Sequence, residues 1–584
     1  AELMSGIKAA EMLLVTATDG SVTSDGKLTS GGDIVMNATD TITLKDDVNA
    51  DGDVNVKTGD LLFEPQAADS VKVSGNNVTI EQMAGTATPG KADISADNEL
   101  TLLGRLIAAG DWKLSSGGDM RIGNVDTTDP DASVTKSVIM EGTSLSAGGN
   151  LSFEATDYVA VTGGEPVLSG GDMDFYSNGT VLLGADLKAT GDLSVKTEND
   201  DGTKDRIEVI GGLESVNGSV MLESDTVDMV KEPGTVRHLT AKKDVTVKSG
   251  SSVGLGNAQV TAKEGDILVD AGGISALGAD MTAEQGSIRL VAAPKPGEGV
   301  FAPHGHVEMS GANLTAKNEL SASAESVLMN NVSADADDIG LSADRGIALT
   351  GRTAMRASEV TLSSAHANVS QEAVAPGAGI EADRLTASAA EGSVSLGALP
   401  VDGIGGNRVA DMDITVRKSL NIGASADALN LGVTQTADKI GDVTVYNASG
   451  TVSLANDLSA ANDVLVYAAG INAKNLASDG LLELSTIGLE DTASGSGSGT
   501  GVKAGDLRGN RVAVASLTGD IGLGDVRSSD RTDIYRNSAY SAGDVSVGNV
   551  TAGTSLKLLN ARGNIRAGHL SAAGRGASAV MYDP

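Results

Sequence analysis

No cysteine occurs in the 584 residues, which excludes disulfide staples, thiolate metal sites and a thiol nucleophile. Aromatic residues are nearly as scarce, with one Trp, four Phe and seven Tyr making 2% of the chain. Large rings therefore neither fill the interior nor line long grooves, and the apolar work falls to Val, Leu, Ile, Ala and Met. Proline is held to 11 residues and no Gly-x-y period accompanies the 75 glycines, so a collagen triple helix is excluded. Positive charge is outweighed: 42 Lys and Arg stand against 78 Asp and Glu, a formal net charge of −36. Such a surface keeps a long particle soluble and repels nucleic acid. No apolar run approaches the roughly 18 residues that span a bilayer, so no transmembrane segment is expected. Ala1 to Ala10 has no basic region followed by an apolar stretch and does not begin with Met. The chain reads as a processed or excised piece of something larger, with its export signal missing.

What the sequence does contain is one recurring phrase, a glycine followed by Asp or Asn and then alternating apolar residues. It stands as Gly32-Asp33-Ile34-Val35-Met36, Gly52-Asp53-Val54-Asn55-Val56, Gly149-Asn150-Leu151-Ser152-Phe153, Gly171-Asp172-Met173-Asp174-Phe175 and Gly191-Asp192-Leu193-Ser194-Val195. Gly441-Asp442-Val443, Gly543-Asp544-Val545 and Gly563-Asn564-Ile565 carry it to the far end. Period-two segments between Gly, Asn and Asp read as short strands, with Ile34, Met36, Ile42 and Leu44 on one side, as are Val71, Val73, Val78 and Ile80. A return every 20 to 22 residues suits one turn of a coil built from two or three strands, each strand lying above its counterpart in the previous turn. The expected fold is all-β, a right-handed parallel β-helix solenoid running continuously through 1–584. About 27 or 28 coils at roughly 4.8 Å would make a rod on the order of 130 Å long.

The glycines are expected at corners because Gly reaches positive φ without steric cost. The Asp or Asn that follows bonds nearby backbone groups and holds the corner. Gly32, Asp33, Gly52, Asp53, Gly171, Asp172, Gly191, Asp192, Gly441, Asp442, Gly543 and Asp544 are thus read as structural turns. Phe153 and Phe175, 22 apart, and Tyr446 and Tyr467, 21 apart, should stack in successive coils.

Four excursions break the count, near 196–210, 292–306, 371–380 and 487–502, and loops leaving a solenoid corner are where binding specificity is usually placed. The Gly/Ser tract from Thr492 to Gly501 is read as a loop rather than a linker between two rods, because strand phrases resume at Val502 and Val512-Ala513-Val514. Ile7 to Leu14 suits either a short capping helix or an ordinary strand.

Chemistry is thinly represented. A hydrolase would need paired carboxylates beside aromatic or Arg residues that hold sugar, yet the one Trp sits in an ordinary strand phrase, Gly110-Asp111-Trp112-Lys113-Leu114. Of His238, His304, His306, His366 and His569 only His304-Gly305-His306 is a cluster, and no ligand set completes it. No catalytic residue, metal site or cofactor is expected. Calcium stays open at Asp46-Asp47 with Asp51 and Asp53, and at Asp200-Asp201 with Asp205, though neither follows a known calcium-loop pattern. Arg531, Tyr535, Arg536 and Tyr540 form the densest aromatic and basic patch, read either as a glycan or partner contact or as local filling of an irregular loop.

The Gly-Asp/Asn phrases, often beside Leu-x-Ala or Val-x-Ala as in Leu145-Ser146-Ala147-Gly148-Gly149-Asn150-Leu151 and Gly548-Asn549-Val550-Thr551-Ala552-Gly553, resemble the repeat region of filamentous haemagglutinin-like, two-partner secretion exoproteins of Gram-negative bacteria. The resemblance implies export through an outer-membrane transporter, a right-handed parallel β-helix, and a secreted or cell-surface shaft for adhesion, biofilm or delivery. Expected partners are surface glycans or proteins of a host or bacterium, or copies of the chain itself. Two other classes stay open: a subunit of a self-assembling extracellular filament or surface layer, and a polysaccharide-binding or polysaccharide-degrading β-helix protein.

Overall fold

Residues that alternate between aliphatic and polar bury one side of a strand, and a glycine-marked corner every few residues keeps each strand short. In the computed structural model this gives a parallel β-solenoid of about 22 turns, 68% strand and, among the described residues, without helix. The structure describes residues 1–3, 6–63, 71–82, 88–89, 92–104, 106–109, 112–116, 120–122, 137–141, 144–155, 157–163, 166–198, 205–229, 237–293, 305–372, 378–397, 407–447, 449–486, 501–517, 519–537 and 542–574. Two compact units divide the chain, Ala1–His304 and Gly305–Pro584, with the boundary in the Pro-rich excursion.

Each coil of the first unit has three sides. Leu151–Ala155, Tyr158–Thr162 and Val167–Ser169 form one turn, and Met173–Ser177, Thr180–Leu183 and Leu187–Ala189 the next. Every strand pairs in parallel with its counterpart one turn on: Leu151↔Met173↔Leu193, Val159↔Val181↔Ile207 and Val167↔Leu187↔Leu213. The second unit repeats the plan, as in Val443↔Val464↔Leu482, Val452↔Ile471↔Val502 and Leu458↔Leu476↔Leu507.

The inward positions form the core. Ile34, Met36, Ile42, Leu44, Val71, Val73, Val78 and Ile80 are all buried, as the alternation requires, each contributing about 1.5–3 kcal/mol by leaving water. Polar residues that point inward sit at corners and satisfy backbone there: Ser169 Oγ donates to Gly149 O and Asp172 O, both at 2.8 Å.

Register shows where the expected spacing fails. Turns run from 18 residues (Val464↔Leu482) to 32 (Leu106↔Val138), because residues added between strands lengthen a coil while the strands keep their register. The turns are therefore fewer than division by 21 suggests. Strands before and after the Gly/Ser tract pair with each other, Ile471 with Val502 and Leu482 with Val512, so both flanks belong to one unit. Residues 487–500, and the excursion cores 199–204, 294–304 and 373–377, lie outside the described residues. Arg206–Val209, assigned to an excursion from sequence, is an ordinary ladder strand. The start is also strand, Ile7–Ala9 and Met12–Ala17, rather than helix.

Candidate functional site

The Gly-Asp phrase builds side-chain ladders along the corners. In the first unit the Asp53 N–H donates to Asp33 Oδ1 (2.9 Å) and the Asn77 N–H to Asp53 Oδ1 (3.1 Å). Asp172 N–H then bonds Asn150 Oδ1 (2.8 Å), Asp192 N–H bonds Asp172 Oδ1 (2.9 Å), and Ser219 N–H bonds Asp192 Oδ1 (2.7 Å). In the second unit Asp463 N–H bonds Asp442 Oδ1 (3.3 Å) and Asn564 N–H bonds Asp544 Oδ1 (2.9 Å). A further column runs through Asp457, Asn475, Asp506, Asp525, Asn549 and His569, each side-chain oxygen accepting the N–H of the next at 2.8–3.1 Å. The turn Asp and Asn residues thus hold the next coil.

This changes the reason for the glycines. None of Gly32, Gly52, Gly171, Gly191, Gly441 and Gly543 has positive φ, so left-handed backbone is not what selects them. A Cβ on Gly52, Gly171 or Gly191 would instead strike the ladder oxygen of the preceding coil, Asp33 Oδ1, Asn150 Oδ1 or Asp172 Oδ1. On Gly543 it would come 2.8 Å from Asp520 Oδ1, on Gly441 2.6 Å from Ser419 Oγ, and on Gly32 into Glu11 O. Glycine is required because the neighbouring coil occupies the space.

Ladder bonds also set the charge state. Asp457 lies below the ordinary carboxylate range, held first by the Asn475 side-chain amide and then by its backbone N–H. For Asp525 and Asp544 the order is reversed, with the backbone N–H of Asn549 and Asn564 leading and the amide following.

Phe153 and Phe175 stack as expected, fully buried, with centroids 4.6 Å apart and planes 5° from parallel. Tyr446 and Tyr467 are register partners on an outward face. Burial, then the Glu483 carboxylate, pushes the Tyr467 phenol up.

Of the aromatic and basic patch, Arg531, Thr532, Asp533, Ile534, Tyr535 and Arg536 form one strand, and its parity divides them. Arg531 and Tyr535 point outward; Arg531 Nε pairs with Asp533 at 2.5 Å, and Tyr535 is 38% exposed. Arg536 is 0% exposed and is a correction to the sequence reading. Its guanidinium donates to Gly519 O (2.8 Å) and Arg562 O (3.1 Å), tying corners together rather than offering a contact. Burial pushes it down from the ordinary arginine value. Tyr540 lies outside the described residues.

No family model, curated protein or solved structure matches this chain.

The residues weighed for metal or catalysis are dispersed. Asp47 accepts from Lys72 N–H (3.1 Å) and pairs with Lys27 (3.4 Å), while Asp53 belongs to the ladder. Buried Asp205 bonds Thr197 Oγ and the Asp225 N–H, and Asp200 and Asp201 lie outside the described residues. His304 lies outside them too, His306 contacts Ser326, and His366 stands between Asp344 (3.6 Å) and Glu391 (3.1 Å). Trp112 opens the strand Trp112–Ser116, in register with Ala92. Among the described residues no three His, Asp or Glu side chains gather as a metal would require.

Sequence reading missed a surface on the third side of the second unit. Six strands stack there: Leu458–Ala460, Leu476–Ser478, Leu507–Gly509, Val526–Ser528, Val550–Ala552 and Leu570–Ala572. Their central residues put Ser459, Ala477, Arg508, Arg527, Thr551 and Ser571 in one outward row. Arg508 and Arg527 are direct register partners, an arrangement of like charges that costs stability. Residues 501–574 hold nine Lys and Arg against six Asp and Glu, a local +3 in a chain of −36. The signal was present in Gly505-Asp506-Leu507-Arg508 and Gly524-Asp525-Val526-Arg527, two copies of the same phrase with Arg at the same offset.

Proposed function

We propose that the chain is an adhesin-like structural shaft, secreted or held at the surface of a Gram-negative bacterium after passage through an outer-membrane transporter, and that it acts by presenting surface rather than by catalysis. The observation that carries this reading is the corner ladder. Coil after coil commits its polar corner residues to the next coil and its aliphatic residues to the interior, an investment in stacking that leaves the outward rows to meet a partner. The degenerate Gly-Asp/Asn phrases and the acidic surface agree with it.

Attachment tests the reading directly. Beads coated with the full chain should adhere to bacterial or host cells above the level of beads coated with an unrelated acidic protein, and small-angle scattering should give an elongated particle. A compact particle, or turnover on a panel of glycans that one carboxylate substitution abolishes, would overturn it.

A further inference from the structure

Beside Arg508 lies a groove of about 370 Å³, lined in part by Gln435, Asp457, Ser459, Asn475, Ala477 and Arg508. Its shape follows from the outward row, in which two small side chains, Ser459 and Ala477, precede a large one. They make the floor and Arg508 the wall. The open side of strand Leu458–Ala460 is closed by Gln435, whose Nε2 donates to Ser459 O (2.7 Å) and whose Oε1 accepts the Ser459 N–H (3.1 Å). That fixes the rim. Asn475 is fixed as well, donating to Asp457 Oδ2 (3.1 Å) and accepting from Asp506 N–H (2.8 Å), so each amide keeps a second N–H and a second lone pair for a ligand.

Arg508 has no ion-pair partner among the described residues, whereas Arg527 behind it reaches Asp525 at 3.9 Å. An unpaired guanidinium at the wall of a groove recognises a carboxylate in bidentate fashion. Asp457 and Asp506 line the same groove; they disfavour a dianion such as phosphate more than a single carboxylate and accept hydroxyl donors. The volume lies at the small end of ligand sites, which begin at roughly 300 Å³, and suits one or two sugar rings. We infer that this groove binds an acidic sugar residue of the uronic acid type, its carboxylate on Arg508 and its hydroxyls on the Asp457, Asn475 and Asp506 rim.

As the ligand of an adhesive shaft this rests on the reading above; as a binding site it is tested with soluble sugars, whose failure to bind leaves attachment of the whole protein untouched. Saturation-transfer NMR on the full chain should show contact with galacturonate, and much less with glucose or inorganic phosphate. R508A should weaken galacturonate about tenfold or more, and A477L, which fills the floor and leaves the arginine in place, should do the same. Both positions face outward, and unchanged circular dichroism checks that the coils persist. Galacturonate oligomers that bind more tightly than the monomer would identify a polysaccharide as the source, and equal binding a single sugar; either result sustains the site. Equal response to glucose, phosphate and galacturonate, or binding unaffected by both substitutions, would overturn it.

Discussion

Replacing Gly191 by Ala tests why glycine marks the corners. Its φ is not positive, so alanine meets no backbone penalty there, and the cost comes from the new Cβ striking Asp172 Oδ1. To make room the carboxylate must leave its 2.9 Å bond with the Asp192 N–H, and such overpacking costs about 1–3 kcal/mol. Asp172→Ala removes the same bond without a clash and costs about 1 kcal/mol at this exposed corner. Because Asp172→Ala also removes the obstacle, the double variant should be no worse than Gly191→Ala alone, a coupling of about 1 kcal/mol or more. A stacked array has no single unfolding free energy, so the suitable readout is native-state hydrogen exchange in residues 167–197. Exchange should accelerate roughly fivefold for Asp172→Ala and roughly 50-fold for Gly191→Ala. Strict additivity would refute the reasoning, since it would mean that the glycine is not there to make space for the carboxylate.

The depressed carboxyls of Asp457, Asp525 and Asp544 add stability that is complete above their ordinary value of 3.8 and is lost as pH falls through the lower folded values. Acid titration of the second unit's amides should show protection failing below about pH 4, and D525N with D544N, which keep an acceptor but cannot titrate, should flatten that profile. Phe175→Ala opens a cavity under the stacked pair and should cost about 3–5 kcal/mol, read as faster native-state hydrogen exchange in the coils around residues 151–197, with Phe175→Leu costing less. Arg536→Met strips donors from Gly519 O and Arg562 O and should cost about 3 kcal/mol, while Arg531→Ala, on the outward side of the same strand, should stay within about 0.5 kcal/mol; similar losses at both would contradict the assigned parity.

The strands and their inward residues were legible because period-two alternation and corner glycines are local signals, as Ile34 to Leu44 demonstrate. Stacking of Phe153 on Phe175 was legible because equal offsets place equal residues in register. The role of the glycines was not, because the atom that excludes a side chain at Gly191 belongs to a residue 19 positions earlier. Arg536 misled for a related reason: one step along a strand separates an exposed Tyr535 from a buried arginine, and composition does not record that parity. The Arg508 groove escaped notice because Ser459 and Ala477 are unremarkable until register sets them beside Arg508, 31 residues after Ala477.

The bonds of the Gly-Asp/Asn corner ladders run the same way: a side chain in one coil accepts from the backbone of the coil that follows. A finished coil therefore leaves a row of acceptors waiting on its C-terminal side. A chain that emerges N-terminus first meets, at every turn, a template already formed, and the coil it adds becomes the template for the next. At these corners, growth of the stack is therefore directional.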